Sequence, residues 1–279
     1  MHGLQLDVST IRKILKVKGY RWLPRAQKPR LSPELMARRV AWAQAVLCLS
    51  DDALREKLSM SLDGVVLSTP PKEKADRENF CKHGDTHMYR RRSEAADPKL
   101  AGHDPYPDQV RPDRAVPLWG GISAGGAAIV TFHQKKKLAT DEWVKVVRSG
   151  KLSRAIMRLD PVRRRGPWTL LCDNETFLKS PGSMAAYASK RIDLWHVPPK
   201  SPDLNPVEKF WGWLRRELRR LDLGDLREGR PPLTKALYRQ RIRYLCETQR
   251  AQRAASAFAR SLRSVCTEVV QKRGARARA

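Results

Sequence analysis

Three acidic residues stand where a carboxylate is difficult to accommodate without a partner. Asp63 lies inside a short apolar, β-branched run, Ser61-Leu62-Asp63-Gly64-Val65-Val66-Leu67. Asp173 follows directly on Thr169-Leu170-Leu171-Cys172, and Glu208 falls in the first turn of a long amphipathic segment. An ionised carboxylate among apolar strand residues is costly to bury unless something compensates it. Three such groups brought together repel one another and need cations between them. Magnesium suits that role, because it takes a few carboxylates, keeps its waters and accepts phosphate oxygens. Two divalent ions about 4 Å apart can activate an attacking oxygen and stabilise a leaving one, which is the physics of phosphodiester hydrolysis and transfer. Each acid also has a simpler role open to it. Asp63 and Asp173 fit strand ends that begin turns, and Glu208 fits the carboxylate of a capping box behind Asn205 and Pro206.

The elements that must position these acids can be read from the hydrophobic period. Strands are predicted over 60–69, 115–123, 127–133, 168–172 and 192–197, the second and third forming a hairpin around Gly125-Gly126. Helices are predicted over 10–18 (capped by Ser9 or Thr10), 32–49 (opened by Ser32-Pro33-Glu34), 51–58, 141–150 and 183–191. The clearest is 205–221, with Val207, Phe210, Trp211, Leu214 and Leu218 on one face. Residues 233–271 are Ala- and Arg-rich and helical, and 272–279 read as a frayed basic tail. The order suggests an α/β protein: a mixed sheet with helices on its faces. Residues 71–114 are charged, Pro-rich and poor in aliphatics, and read as an insertion outside the core. Cys81, His83, Asp85 and His87 cluster there with His103 nearby; a small zinc site would use them, but the spacing matches no standard finger and a solvated loop is the simpler reading.

Charge narrows the partner. Lysine and arginine number 56 against 29 acidic residues, a net +27, which calls for an anionic partner. No apolar run approaches the roughly 20 residues that span a bilayer, so nucleic acid outranks membrane. The five cysteines are scattered without a CxxC pair, which suits a reducing compartment. Arg12, Lys13, Lys16 and Lys18 cover the early helix, and Arg21, Arg25, Lys28 and Arg30 follow in a segment broken by Pro24 and Pro29. These eight are the candidate DNA-binding residues, since such a helix with a basic tail resembles the last helix of a helix-turn-helix. Lys135 to Lys137, Arg163 to Arg165 and the Arg-rich stretch 215–220 are further candidates for phosphate contact.

The segment Pro199-Lys200-Ser201-Pro202-Asp203-Leu204-Asn205-Pro206-Val207-Glu208-Lys209-Phe210-Trp211 closely resembles the signature around the third acidic residue of mariner-like (Tc-type) DDE transposases. Thirty-four residues, 174–207, separate Asp173 from Glu208, as in one large branch of that family. Leu171-Cys172-Asp173-Asn174 resembles its second acidic motif, and Val116 to Ser123, with Trp119-Gly120, its Trp-Gly strand. Asp63 falls where the first acid belongs.

The resemblance implies an RNase H-like, five-stranded mixed sheet, with Asp63, Asp173 and Glu208 as catalytic residues and metal ligands. It implies two Mg2+ or Mn2+ ions, hydrolysis at each transposon end, and attack of the freed 3′-hydroxyl on target DNA. The expected partner is double-stranded DNA, held by a homodimer, in the nucleus of a eukaryote or on the nucleoid of a bacterium. Three units are expected: 1–30, the remnant of a helix-turn-helix domain and its linker, beginning inside the second DNA-reading module; 31–222, the catalytic domain; and 223–279, a basic helical extension. The chain departs from the family at Gly64, where Glu often follows the first acid, and at Glu175-Thr176, where Ala-Pro is usual. A catalytically inactive, transposase-derived DNA-binding protein is the alternative reading. A retroviral-type integrase is a third, without the His-His-Cys-Cys module that it would carry.

Overall fold

The computed structural model describes residues 7–24, 31–83, 87–91, 113–134, 138–160 and 166–277. It opens with α1 (Val8–Val17), capped by Asp7, whose carboxylate accepts the Ser9 N–H at 2.9 Å. The caps expected at Ser9 or Thr10 lie inside the helix instead; a carboxylate one residue before it is the stronger acceptor for the free N–H groups of a first turn. There follow β1 (Arg21–Pro24), α2 (Pro33–Leu47), α3 (Asp51–Lys57) and β2 (Leu58–Ser68). The chain continues through α4 (Lys74–His83), β3 (His87–Arg90), β4 (Ala115–Ser123), β5 (Gly126–Phe132), α5 (Thr140–Arg148) and α6 (Lys151–Leu159). Then come β6 (Trp168–Cys172), a 3-10 turn (Thr176–Lys179), α7 (Pro181–Ala188), β7 (Ile192–His196) and a second 3-10 turn (Pro202–Leu204). The last elements are α8 (Pro206–Arg227), α9 (Lys235–Glu247), α10 (Gln249–Arg260) and α11 (Leu262–Gln271).

The five expected strands form one mixed sheet in the order β5-β4-β2-β6-β7. β2 pairs antiparallel with β4 and parallel with β6, and β7 runs parallel to β6. Side chains alternate across a strand, and along β2 this sends Met60 and Leu62 to one face and Val65 and Leu67 to the other. The first face packs on α5, α6 and α7 through Trp143, Leu152, Ile156 and Tyr187. The second is covered by α8, α9 and α10, with Phe210, Trp211, Leu214, Ile242 and Ala251 buried. Further along that face, Leu171, Val197 and Leu204 pack with Ala43 and Val46 of α2 and Val265 and Val269 of α11. Burying one such large side chain contributes about 1.5–3 kcal/mol. Residues 223–279, expected as an extension, thus supply part of the cover of the sheet.

Several local readings change. The helix expected over 141–150 stops at Arg148, and Gly150, at φ +74°, turns the chain into α6, whose residues Leu152, Ile156 and Leu159 are buried. The stretch 233–271 is three helices, the break before α10 being capped by Thr248, which accepts from the Ala251 N–H. The 272–279 tail is not frayed where it is described: Gly274 and Ala277 are buried, the latter 5 % exposed. Long-range partners hold it, which no local pattern announces. The basic segment expected as a linker pairs, through β1, with β3 from the supposed insertion. Within that insertion α4 packs on α8 and buries Arg77, Phe80 and Cys81, while Lys74, Ala75, Asp76, Glu78, Asn79 and Lys82 stay exposed. Burial pushes the Cys81 thiol up to about 11. Asp85 and His103 lie outside the described residues.

Candidate active site

The first two acids are brought together by sheet register. Ser61 on β2 lies opposite Leu171 on β6 in the parallel pair, and Asp63 and Asp173 each stand two residues further on. Asp63 therefore shares the face of Val65 and Leu67, the face covered by α8. Across the antiparallel pair its partner is Gly120. A Cβ at Gly120 would lie 2.8 Å from the Ala128 carbonyl oxygen and 3.0 Å from the Trp211 ring, so only glycine lets α8 seat this closely beside Asp63. On the opposite face a Cβ at Gly64 would stand 2.7 Å from the Trp119 ring. That is a physical reason for glycine after the first acid in this chain.

Asp173 begins a loop tied down on both sides. Its carbonyl accepts from His196 Nδ1 at 2.7 Å, and its Oδ1 accepts from the Glu175 N–H at 3.4 Å. Asn174 donates through Nδ2 to the Val197 carbonyl at 2.6 Å and accepts from Lys179 Nζ at 2.5 Å. The loop is thus anchored to the end of β7.

Glu208 comes from the first turn of α8. Asn205 occupies the N-cap position with Pro206 following, as expected, but its side chain makes no cap bond. Its Nδ2 instead donates to the carbonyl of Leu62 at 3.2 Å, next to Asp63, while its Oδ1 is buried without a partner. The capping box expected of Asn205 and Glu208 is therefore not built from the Asn205 side chain. The sequence signalled Asn205 only as a cap; its bond to β2 is visible only in the fold.

Asp63, Asp173 and Glu208 line one cleft of about 340 Å³ with Glu175, Lys200 and Asn205. Asp63 is 8 % exposed, and burial, followed by repulsion from Glu208 and Asp173, pushes its carboxyl well above the usual range. Burial also raises Asp173. Among the described residues no group of three His, Cys, Asp or Glu side chains is spaced so as to hold a metal ion as it stands. The donor chemistry nonetheless fits a hard divalent cation: carboxylates that repel one another, and an amide oxygen buried with nothing to accept from. Glu175 is a fourth acid on this cleft that the sequence alone gave no reason to include.

The candidate DNA-binding residues lie elsewhere. Arg12, Lys13 and Lys16 are exposed on α1, Lys18 caps its end, and Arg21 opens β1. Arg25, Lys28 and Arg30 fall outside the described residues, as do Lys135 to Lys137 and Arg163 to Arg165. Trp211 and Trp213 are buried in the α8 core and offer no stacking surface. On the outer side of α8, Arg216 and Arg220 are exposed.

Residues 89–228, half of the chain, match the family described as DDE superfamily endonuclease. The chain belongs to that family. The matched stretch contains Asp173 and Glu208, and Asp63 precedes it. Among solved structures, the chain superposes on the Mos1 transposase paired-end complex with left transposon end (TM-score 0.59, 13 % identity, 97 % of this chain and 71 % of that one). It also superposes on the catalytic domain of Mos1 mariner transposase (TM-score 0.56, 11 % identity, 90 % and 99 %). A third match is the Mos1 transposase catalytic domain with Raltegravir and Mn (TM-score 0.57, 11 % identity, 90 % and 100 %). At these identities the likeness is one of fold, and it makes the five-stranded sheet RNase H-like, as expected. No curated protein sequence matches the chain.

Proposed function

We propose that this member of the DDE endonuclease family is the catalytic part of a mariner-like, cut-and-paste DNA transposase, with Asp63, Asp173 and Glu208 as its metal-binding catalytic residues. The observation that carries the reading is the convergence of these three acids, from β2, the β6 loop and α8, on one cleft. A net charge of +27 on a chain that carries an acidic cleft is what an enzyme acting on DNA needs.

In this reading Asp63, Asp173 and Glu208 would hold two Mg2+ or Mn2+ ions, with the Asn205 side chain lining the same cleft. Bound there, the ions supply charge neutralisation for the attacking and leaving oxygens of a phosphodiester. The protein's own share is positioning. β2 and the loop after β6 bring two carboxylates to one cleft, and α8 brings the third. Lys200 and Lys179, near the cleft, offer cations to the DNA backbone. Water attacks at each transposon end, and the freed 3′-hydroxyl then attacks target DNA, with no covalent intermediate on the protein. A homodimer on double-stranded DNA would hold both ends, working in the nucleus of a eukaryotic host or on the nucleoid of a bacterial one. Mn- and Mg-containing Mos1 structures, and those with transposon-end DNA, support the choice of ion and of partner.

A strand-cleavage assay in Mg2+ or Mn2+ tests the reading. Asp63→Asn, Asp173→Asn and Glu208→Gln should each lower cleavage by at least about 10²–10³-fold, the scale of losing one charge-stabilising group, while DNA binding persists. DNA binding without cleavage by the parent chain would leave an inactive DNA-binding derivative; activity surviving all three substitutions would mean that other residues carry the chemistry.

A further inference from the structure

We infer that Arg39 and the C-terminal segment 274–277 form a clamp that positions Glu208, through Asp203 in the turn that starts α8. The inference rests on Glu208 being a metal ligand, as proposed above. Arg39 projects from α2 and is fully buried. Its Nη1 and Nη2 donate to Asp203 Oδ1 and Oδ2 at 2.9 and 2.6 Å, a two-pronged pair that fixes direction as well as distance. The tail takes two more of its N–H groups: Nε donates to the Gly274 carbonyl at 2.8 Å, and Nη2 reaches the Ala275 carbonyl at 3.4 Å. The tail also grips the acid directly, since the Ala277 N–H donates to Asp203 Oδ2 at 2.9 Å. Arg276 donates to the carbonyl of Lys200, in the wall of the cleft, at 3.1 Å. Gly274, at φ +87°, passes so close to the Met36 carbonyl that a Cβ would lie 2.3 Å from its oxygen. Three segments far apart in the chain therefore meet at one carboxylate.

That carboxylate is well placed to act on the site. Asp203 lies in the 3-10 turn Pro202–Leu204, and Asn205, immediately after it, binds the Leu62 carbonyl beside Asp63. The turn is thus pinned on one side by Arg39 and the tail and on the other by β2, and Glu208 follows within one helical turn. A buried ion pair is weak evidence of stabilisation, because well-packed apolar residues of similar volume often serve as well. A fork-shaped pair makes better sense as a device for fixing the direction in which α8 leaves the turn. Groups that orient metal ligands from behind typically change metal affinity 10–100-fold when altered.

The test uses the full chain and three variants: Arg39→Lys, the apolar pair Arg39→Met with Asp203→Leu, and a chain ending after Arg273. Mn2+ binding is measured by calorimetry, the Mn2+ concentration for half-maximal DNA cleavage is measured in parallel, and the fold is checked by thermal unfolding. Variants that fold should bind Mn2+ about tenfold or more weakly and need correspondingly more of it, with cleavage largely recovered at saturating metal. The double substitution keeps the test open if Arg39→Lys fails to fold. Folded variants with parental Mn2+ affinity would overturn the clamp. Glu208→Gln separates the two claims: if it abolishes tight Mn2+ binding while the clamp variants do not, only the clamp fails; if it too leaves binding intact, the assignment of Glu208 fails and takes the clamp with it.

Discussion

Asp63 and Asp173 are neighbours because each stands two residues beyond the same parallel pair, Ser61 with Leu171. Adjacent strands run roughly 4.8 Å apart, so this pairing brings the two acids to the same end of the sheet, where both line one cleft. The third acid has no such rail and depends on how closely α8 seats on the sheet. Gly120, opposite Asp63, decides that distance.

Replacing Gly120 with alanine should therefore be felt at the site as well as in stability. The added carbon meets a backbone oxygen and the buried Trp211 ring, neither of which is a flexible end. A loss of about 1–3 kcal/mol is expected for overpacking of this kind, with a fall in cleavage rate as α8 is pushed outward. Urea unfolding and the cleavage assay together check it; unchanged values in both would mean that the helix has room to spare.

Metal binding should be linked to protons. Burial, and then the charges of Glu208 and Asp173, raise Asp63 well above the usual carboxylate range. A raised acid favours the protonated folded chain, and the stability this gives is lost as pH rises through the raised value. A cation in the cleft removes that penalty by displacing the proton. Mn2+ should thus raise the unfolding temperature more at pH 8 than at pH 6, with a stabilisation of about 2.7 kcal/mol at 100 times its dissociation constant. Calorimetry in buffers of different ionisation heat should detect proton release on binding. Absence of any release would contradict the assignment of Asp63.

A second buried acid, away from the cleft, titrates in an accessible range. Asp222 on α8 accepts from Arg241 at 2.9 Å and from Tyr238 at 3.1 Å, yet burial lifts its carboxyl to about 6. Its contribution to stability is complete below the ordinary aspartate value of 3.8 and is lost as pH rises through about 6. Asp222→Asn, which does not titrate, should gain on the parent by up to about 3 kcal/mol over that window. Unfolding midpoints measured at pH 4 and pH 7 decide the matter, and a gap between the two proteins that ignores pH would refute it.

The exposed cations of α1 should show themselves through salt. If Arg12, Lys13 and Lys16 touch phosphates, replacing each with alanine should reduce the slope of log affinity against log salt by about 0.9 for duplex DNA. The same substitutions should spare metal-dependent nicking at saturating DNA. A triple variant with the parental salt slope would remove α1 from the interface.

What the sequence determined by itself was whatever depends on neighbours along the chain. Alternation and turn residues placed all five strands of the sheet, Ser32-Pro33 opened α2, and the spacing of Val207, Phe210, Trp211, Leu214 and Leu218 defined the buried face of α8. The segment from Pro199 to Trp211 and its distance from Asp173 pointed to two of the three acids. Tertiary structure decided the rest. Asp63 acquires its neighbours from register and from Gly120, while Asn205 turns from a helix cap into a strut on β2. Arg77, Phe80 and Cys81 pack against α8 from a stretch that is otherwise exposed, as its composition reads, and the tail meets Arg39, some 235 residues away in sequence, through its Gly274 carbonyl. The physical reason is common to all of these. Periodicity and capping are local free energies, written in consecutive residues, whereas the desolvation of a carboxylate or a guanidinium depends on groups that only the folded chain brings within reach.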